Sequence, residues 1–254
     1  MAVEVGGADQ DIWVYDLERG TRTRVTTEPG REQDPIWTTD GKRLIYGTSG
    51  TISARSADGS GEAEILASGK LPQEAHSWSP DGRALAYYVH AEPESRDIWI
   101  LPMEGDRTPV PYLTTPFNER SPSFSPDGRF IAYVSDASGR DEVYVQLYPG
   151  PGPREVISTN GGHQPVWSRD GKELFYRDGD RMMAVAVQMK PEFRAGVPEL
   201  LFEGRFLSER PSSGSQSYDV SLDGRRFLMV QSADRATEFY VVLNWFEELE
   251  ARVP

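Results

Sequence analysis

The sequence predicts an all-β protein, a β-propeller of five to six four-stranded antiparallel blades. An Asp-Gly pair recurs at residues 40–41, 81–82, 127–128, 170–171 and 223–224, with spacings of 41, 46, 43 and 53 residues. A large apolar residue stands three positions before each Asp, and an alternating, strand-like segment follows each Gly. A period of about 40 to 50 residues with strand patterning is typical of propeller blades.

Each repeat begins with a hairpin that turns at the Asp-Gly pair. Gly adopts positive φ at no steric cost, so the pair favours a two-residue turn, and we interpret the five Asp residues as turn formers rather than catalytic groups. A third strand follows each hairpin, as in "DIWILPM" at 97 and "DEVYVQLY" at 141. Short fourth strands such as "EILA" at 64 complete most blades.

The two ends of the chain do not coincide with blade boundaries. The chain opens with segments that read as third and fourth strands, at 11–16 and 22–25, and the last repeat supplies strands one to three. Either strands from both ends complete one blade, or a blade is incomplete and a second chain covers its edge. Because an uncovered strand edge promotes aggregation, we expect a homodimer.

We predict a single β-propeller domain over residues 1–254. A short helix should end it, since Asn244 and Glu247 form a capping-box pattern before apolar residues. The predicted repeats are residues 10–33, 34–74, 75–119, 120–162, 163–216 and 217–244, followed by the helix at 245–253.

The bulk composition excludes several classes of function. A formal net charge of −13 would repel the phosphates of nucleic acids and an anionic membrane surface. The absence of cysteine excludes disulfides, thiolate nucleophiles and cysteine metal sites. No apolar run is long enough to span a membrane, and the start "MAVEVGGADQ" lacks the features of a signal peptide.

The motifs "SWSPDG", "SFSPDG" and "VWSRDG", each followed by a segment such as "LAYYV" or "IAYVS", resemble the TolB-like β-propeller repeats. The ending "YDVSLDGRRFLMVQ…VVLNWFEELEARVP" is similar to the C-terminal extracytoplasmic propeller of bacterial receptor-type serine/threonine kinases. The resemblance implies a sensor or binding propeller from a larger bacterial protein and a periplasmic or extracytoplasmic location. It implies little about chemistry, because propellers carry many functions.

Candidate site residues follow from position, because the sequence contains none of the common hydrolase or nucleotide-binding motifs. The start of each first strand, seven residues before the turn Asp, should line one mouth of a central channel. His and acidic residues gather there, and such residues bind divalent metals. The predicted metal ligands are His76, His163, Glu74 and Glu119. The residues predicted to line the binding site are Gln33, Asp34, Arg120 and Gln216.

Two functions remain open on these observations. The first is a non-enzymatic module that binds a small molecule or a protein at the channel mouth. The alternative is a metal-dependent hydrolase of phosphoesters, phosphotriesters or lactones, in which a divalent metal activates water. The sequence demands no cofactor, and Ca, Zn or Mn would suit the alternative. His90, the third histidine, ends a second strand and is expected to be exposed.

Overall fold

The structure is a computed structural model that describes residues 1–6, 9–91, 95–150, 152–206, 216–232 and 237–242, with side chains up to residue 230. Across these ranges the chain consists of strands, turns and bends, without a helix. None of the described segments forms a helix long and apolar enough to cross a membrane. The helix predicted at 245–253 lies outside the described residues. The chain divides into two compact units, Met1–Pro122 and Ser123–Pro254.

Unit 1 contains three antiparallel sheets, each a meander of strands consecutive in sequence. The first sheet is β1 (Ala2–Gly6), β2 (Gln10–Asp16) and β3 (Thr21–Arg24). The second is β4 (Gln33–Trp37), β5 (Arg43–Gly47), β6 (Thr51–Ser56) and β7 (Glu64–Ser68). The third is β8 (Gln73–Trp78), β9 (Ala84–His90), β10 (Arg96–Pro102) and β11 (Val110–Leu113).

Unit 2 also contains three sheets, the first beginning just before the unit boundary. That sheet is β12 (Arg120–Phe124), β13 (Phe130–Ser135), β14 (Glu142–Leu147) and β15 (Arg154–Val156). The next is β16 (His163–Trp167), β17 (Glu173–Asp178), β18 (Arg181–Gln188), β19 (Arg194–Ala195) and β20 (Glu199–Glu203), with β19 and β20 both pairing with β18. The last is β21 (Tyr218–Val220), β22 (Phe227–Ser232) and β23 (Thr237–Val242).

The predicted fold class is confirmed: the protein is an all-β propeller built from four-stranded antiparallel sheets. Four sheets have four or five strands, and the first and last have three. The strands predicted at 11–16 and 22–25 are present as β2 and β3. β1, which pairs along its whole length with β2, was not predicted, because no turn motif marks it.

The Asp-Gly turns share one set of hydrogen bonds. In each, a Ser or Thr hydroxyl donates to the Asp carboxylate two residues later at 2.5–2.8 Å, and the Gly amide donates to the carbonyl oxygen of that Ser or Thr. Only the Gly has positive φ, between 67° and 72°. The predicted two-residue turn is therefore wrong, since that turn needs positive φ at Asp as well. The Asp residues are turn formers, as predicted.

The first strands β4, β8 and β16 carry a bulge close to the residue five positions before the turn Asp. In β4 the pairing register shifts between Gln33 and Ile36, and in β8 it shifts between Ala75 and Ser77. A bulge adds one unpaired residue and redirects the neighbouring side chains. In β8 the extra residue is His76, so the bulge determines where its imidazole lies.

Each unit has its own apolar core between sheets. In unit 1 the residues facing inward include Ile45, Ile52, Leu85, Tyr87 and Leu101. The residues next to them on β5 and β9, such as Leu44 and Tyr46, are also buried, because they face the opposite side of the same sheet and pack in a second cluster. The packing holds β4 and β8 side by side, and the candidate site lies on these two strands.

Candidate metal centre

Two first strands bring three metal-binding side chains together in unit 1. Glu74 and His76 lie on β8, and Asp34 lies on β4 of the preceding sheet. One nitrogen of His76 and one carboxylate oxygen from each acid lie within 4.8 Å of one another. The side chains of Asp34 and Glu74 are buried, at 8% and 7% exposure. We call Asp34, Glu74 and His76 the ligand cluster.

A glycine allows the strands to approach closely at this point. Gly47 ends β5 and pairs with Gln33 at the start of β4. A Cβ atom at Gly47 would overlap the carbonyl oxygen of Gln73, the residue before Glu74. The close approach of β8 to the second sheet therefore requires glycine at this position.

Asp34 occupies the bulge of β4 with a left-handed backbone. Its φ is 52°, a conformation that few residues other than glycine adopt. Its amide donates a hydrogen bond of 2.6 Å to Oε1 of Glu4, on β1. Such strained positions cost about 1–3 kcal/mol and are concentrated at functional sites. The sequence therefore holds Asp34 in place by a bulge, the following Pro35 and a carboxylate acceptor.

A second layer of residues orients Glu74. The hydroxyl of Tyr88, directly opposite Glu74 on β9, donates to Glu74 Oε2. His90 Nε2 lies 2.5 Å from Glu74 Oε1. The Tyr88 ring lies between two imidazoles, with centroid distances of 5.0 Å to His76 and 5.4 Å to His90. Both oxygens of Glu74 are thus held by neighbouring side chains.

The charges around the cluster are predominantly negative. Glu4, Asp34 and Glu74 contribute three carboxyl groups, while the guanidinium of Arg96 contributes a positive charge nearby. The Arg96 guanidinium carbon lies 5.6 Å from the centroid of the Tyr88 ring, so it approaches the cluster from behind Tyr88. With all three carboxyls ionised, the group carries an excess of two negative charges.

Burial controls the protonation of the cluster. It raises the pKa of Glu74 above the usual range, and the negative charge of Glu4 adds to the rise. A hydrogen bond between the carboxyl groups of Asp34 and Glu74 acts in the opposite direction, and such a bond requires a proton on one of them. Burial and, to a smaller extent, the positive charge of Arg96 lower the pKa of His76 to about 3. His76 is therefore neutral at physiological pH.

The imidazole of His76 has an unused ligand atom. Its Nε2 is buried and has no hydrogen-bond partner. A buried polar atom without a partner costs about 1–3 kcal/mol, so its presence calls for an explanation. A neutral imidazole nitrogen beside two carboxylates is the donor set that binds divalent transition metals.

The cluster fits a divalent cation in both size and charge. Ligand atoms bound to one cation at about 2.0–2.5 Å lie at most about 5 Å apart, and the three candidate atoms satisfy that limit at 4.8 Å. A charge of +2 would offset the excess carboxylate charge. Asp34, Glu74 and His76 would hold the ion, and Tyr88 and His90 would orient Glu74 from outside.

The predicted metal ligands are brought together only in part. Glu74 and His76 lie in the ligand cluster, whereas Glu119 is outside it and accepts a 2.5 Å hydrogen bond from the hydroxyl of Thr115. His163 belongs to unit 2, where it starts β16 and pairs with Arg177 of β17. The cluster instead includes Asp34, which the sequence analysis placed among the binding residues.

The residues predicted to line a binding site occupy different environments. Gln33 is half-buried at the start of β4, and Arg120 is buried at the start of β12. Gln216 is exposed. Asp34 is the member of this group that lies among the candidate ligands.

His90 differs from its predicted exposure. Its ring is half-buried and contacts Glu74, because residues two apart on a strand share a face and Tyr88 already points at Glu74. The alternation of β9 was visible in the sequence and would have placed His90 beside Tyr88. The pairing of Tyr88 with Glu74 required the register of the hairpin, which the bulge shifts by one residue.

Comparisons with known proteins show similarity along nearly the whole chain. The uncharacterized protein Atu1656 of Agrobacterium fabrum is 30% identical over 178 residues, covering 67% of this chain and 59% of that protein. TolB from Acinetobacter baumannii is similar in structure, with a TM-score of 0.71 and 17% identity, covering 92% of this chain and 57% of that one. An oligogalacturonate lyase in complex with manganese gives a TM-score of 0.64 at 12% identity, covering 94% and 69%.

The structural matches have low sequence identity and therefore show the fold alone. The chain spans 59% of the Agrobacterium relative and 16% of a second curated relative, so the activities of longer proteins do not transfer directly. The family model of the TolB beta propeller domain matches residues 56–243, which is most of the chain. This protein therefore belongs to the TolB beta propeller domain family.

Proposed function

We propose that this chain is a non-enzymatic binding module and that its ligand cluster holds a divalent cation as part of the binding site. The observation that carries the proposal is the buried, unpartnered Nε2 of a neutral His76 beside two buried carboxylates. Neutral imidazole is the form of histidine that binds metals. The propeller fold supports a binding role, because many propellers display ligand sites on a rigid scaffold.

The donor set favours a transition metal over calcium. One imidazole nitrogen and two carboxylate oxygens suit Zn²⁺ or Mn²⁺, whereas Ca²⁺ prefers six to eight oxygen ligands. Three protein ligands leave room for a further oxygen atom. We infer that a carboxylate or carbonyl oxygen of the bound small molecule or protein takes that place.

Hydrolysis is the second candidate, and the same open coordination supports it. A divalent metal held by three protein ligands lowers the pKa of a bound water and polarises an ester or phosphoester. Against this role, both oxygens of Glu74 are engaged by Tyr88 and His90, which leaves Glu74 poorly placed to accept a proton from water. We therefore favour binding over catalysis.

The test is calorimetric titration of the metal-stripped protein with MnCl₂, ZnCl₂ and CaCl₂, together with elemental analysis of the protein as purified. We expect His76→Ala and Glu74→Gln to weaken Mn²⁺ and Zn²⁺ binding at least about tenfold. Glu119→Gln is the matched control, because Glu119 is an equally buried glutamate of unit 1 outside the ligand cluster. Unchanged binding by His76→Ala would overturn the cation site.

The metal-loaded protein should then be assayed with phosphoester, phosphotriester and lactone substrates. We expect no turnover above that of the free metal ion. Turnover that disappears in His76→Ala but survives in Glu119→Gln would replace the binding proposal with the hydrolase.

We further propose an extracytoplasmic location, supported by membership of the TolB beta propeller domain family. Fractionation of cells that produce the full-length natural protein tests it, with the periplasmic or surface fraction expected to hold the propeller. Recovery in the cytoplasm alone would contradict this location.

A further inference from the structure

A buried arginine in unit 2 lacks the partners that such a group requires. Arg177, on β17, is completely buried, at 0% exposure. Its Nη2 donates a 2.7 Å hydrogen bond to the carbonyl oxygen of Gly179. Its Nε and Nη1 are buried and have no hydrogen-bond partner. The side chain therefore leaves donors on two of its three nitrogens unused.

The positive charge of Arg177 interacts with Asp180 only at a distance beyond that of an ion pair. Among the residues that the structure describes, no carboxylate lies within ion-pair distance of its guanidinium, although Arg181, on the next strand, pairs with Asp178 and Glu203. The ring of Phe206 lies 5.9 Å from the guanidinium carbon, and burial lowers the pKa of the group. An unpaired buried charge costs several kcal/mol, so a purely structural role would favour an apolar residue here.

Arg177 occupies the same position in its repeat as Tyr88, the residue that orients Glu74 of the ligand cluster, occupies in its own repeat. Seven residues after the turn Asp, the other repeats carry Gly47, Tyr88, Val134 and Val230. Tyr88 pairs with Glu74 across its hairpin, and Arg177 pairs with His163 in the same way. The cross-strand pair is thus Glu74 with Tyr88 in unit 1 and His163 with Arg177 in unit 2, so a carboxylate in one sheet corresponds to a pair without any carboxylate in the other.

We propose that Arg177 is the anchor of an anion subsite that takes an oxyanion, either a carboxylate or a phosphate group of a ligand. The oxyanion supplies the missing charge and accepts hydrogen bonds from the unpartnered nitrogens, and arginine is well suited to such groups. Because the guanidinium is covered, binding of the anion requires a local opening around Arg177. This inference is independent of the cation in unit 1.

The probes are inorganic phosphate and acetate, each compared with chloride at constant ionic strength. Thermal unfolding and calorimetric titration of the whole chain measure their effects. We expect one or both oxyanions to raise the Tm by about 3–5 °C at ten times the Kd, and chloride to have no comparable effect. Stabilisation by phosphate alone identifies a phosphate subsite, and stabilisation by acetate identifies a carboxylate subsite.

Three variants separate binding from a structural role. Arg177→Met should abolish the oxyanion effect and, in chloride, unfold at or above the Tm of the unmodified protein, since it removes an unpaired buried charge. Arg177→Lys keeps the charge but loses the guanidinium fork, and should bind the oxyanion at least about tenfold more weakly. Arg181→Met, which removes an exposed arginine from the same sheet, should respond as the unmodified protein does.

Two results would overturn the subsite. One is the absence of any difference between the oxyanions and chloride in the unmodified protein. The other is an oxyanion effect that persists in Arg177→Lys and Arg177→Met. If Arg177→Met does not fold, the titrations of the unmodified protein and Arg177→Lys still decide the question.

Discussion

Asp34 has to satisfy two requirements at once. Its backbone is in the left-handed region, with φ of 52°, and its carboxylate belongs to the ligand cluster. Aspartate and asparagine tolerate positive φ better than most residues, because their short polar side chains hydrogen-bond locally. The residue type is thus selected by conformation as well as by ligand chemistry.

Exchanges at Asp34 should separate these requirements. We expect Asp34→Asn to change the free energy of unfolding by less than about 1 kcal/mol, and Asp34→Val to lower it by about 1–3 kcal/mol, because a β-branched residue is strained at positive φ. Both should weaken Mn²⁺ binding. Urea unfolding and calorimetric titration measure the two effects, and equal destabilisation by Asn and Val would contradict the conformational argument.

At the scale of the strand, the site depends on contact between neighbouring sheets. The end of β5 touches the backbone of β8 at Gly47, one residue before Glu74. This contact sets how far β8 lies from β4 and therefore how far Asp34 lies from the other two ligands. The geometry of the cluster is a property of two sheets rather than of one hairpin.

Gly47→Ala should disturb that contact. We expect it to lower the free energy of unfolding by about 1–3 kcal/mol, as overpacking does, and to weaken cation binding by moving β8. Gly50→Ala is the control, since its Cβ would lie 3.1 Å from the Gly69 carbonyl oxygen, a milder contact away from the cluster. Urea unfolding that ranks Gly50→Ala as the more damaging change would contradict this explanation.

Most strands were predictable from the sequence because an Asp-Gly turn marks each of the five repeated hairpins. The site was predictable in part, since Glu74 and His76 stand seven and five residues before the turn residue Asp81, where the first strand begins. The partnership with Asp34 and His90 was not predictable, because the bulge shifts the register and a shift of one residue exchanges the faces of a strand. Glu119 and His163 stand at similar offsets, eight and seven residues before their turn Asp, but lie outside the ligand cluster.

At the scale of the whole molecule, the many carboxylates fall into two classes with opposite responses to acid. Hydroxyl and amide donors in the turns lower the pKa of exposed residues such as Asp40, Asp81 and Asp170. Burial raises the pKa of others, including Asp97 and Glu173. The carboxylates that give the net charge of −13 thus include some whose surroundings favour the charged form and others whose burial opposes it.

The carboxylate contribution to stability should therefore pass through a maximum at about pH 4–5, whereas His76 and His90, whose pKa values are lowered by burial, reduce stability as pH falls below the ordinary His value of 6.5. As pH falls towards that range, buried acids with raised pKa take up protons in the folded state first, and stability rises. Below the ordinary Asp value of 3.8, the unfolded chain takes up protons first, and the stability contributed by the turn Asp residues is lost through their lowered pKa.

Urea midpoints measured from pH 2.5 to pH 8 check the carboxylate profile in a His76→Ala, His90→Ala background, which removes the opposing contribution of the histidines. Ser79→Ala removes the main donor that lowers the pKa of Asp81, so its difference from the unmodified protein should shrink below pH 3.8. A stability that rises steadily up to pH 8 would contradict the role of the buried acids.

The single domain over residues 1–254 and the homodimer stay predictions.

The bulge of β8 has a genetic consequence. Five residues before the turn Asp, three other first strands carry Pro35, Pro122 and Pro165, where β8 carries His76. Each of the two histidine codons differs by one base from one of the four proline codons, so with those codons a single point mutation converts a scaffold position into a ligand position or back. We expect homologous genes to lose the cation site through this substitution while keeping the propeller, and a survey of natural alleles would find them.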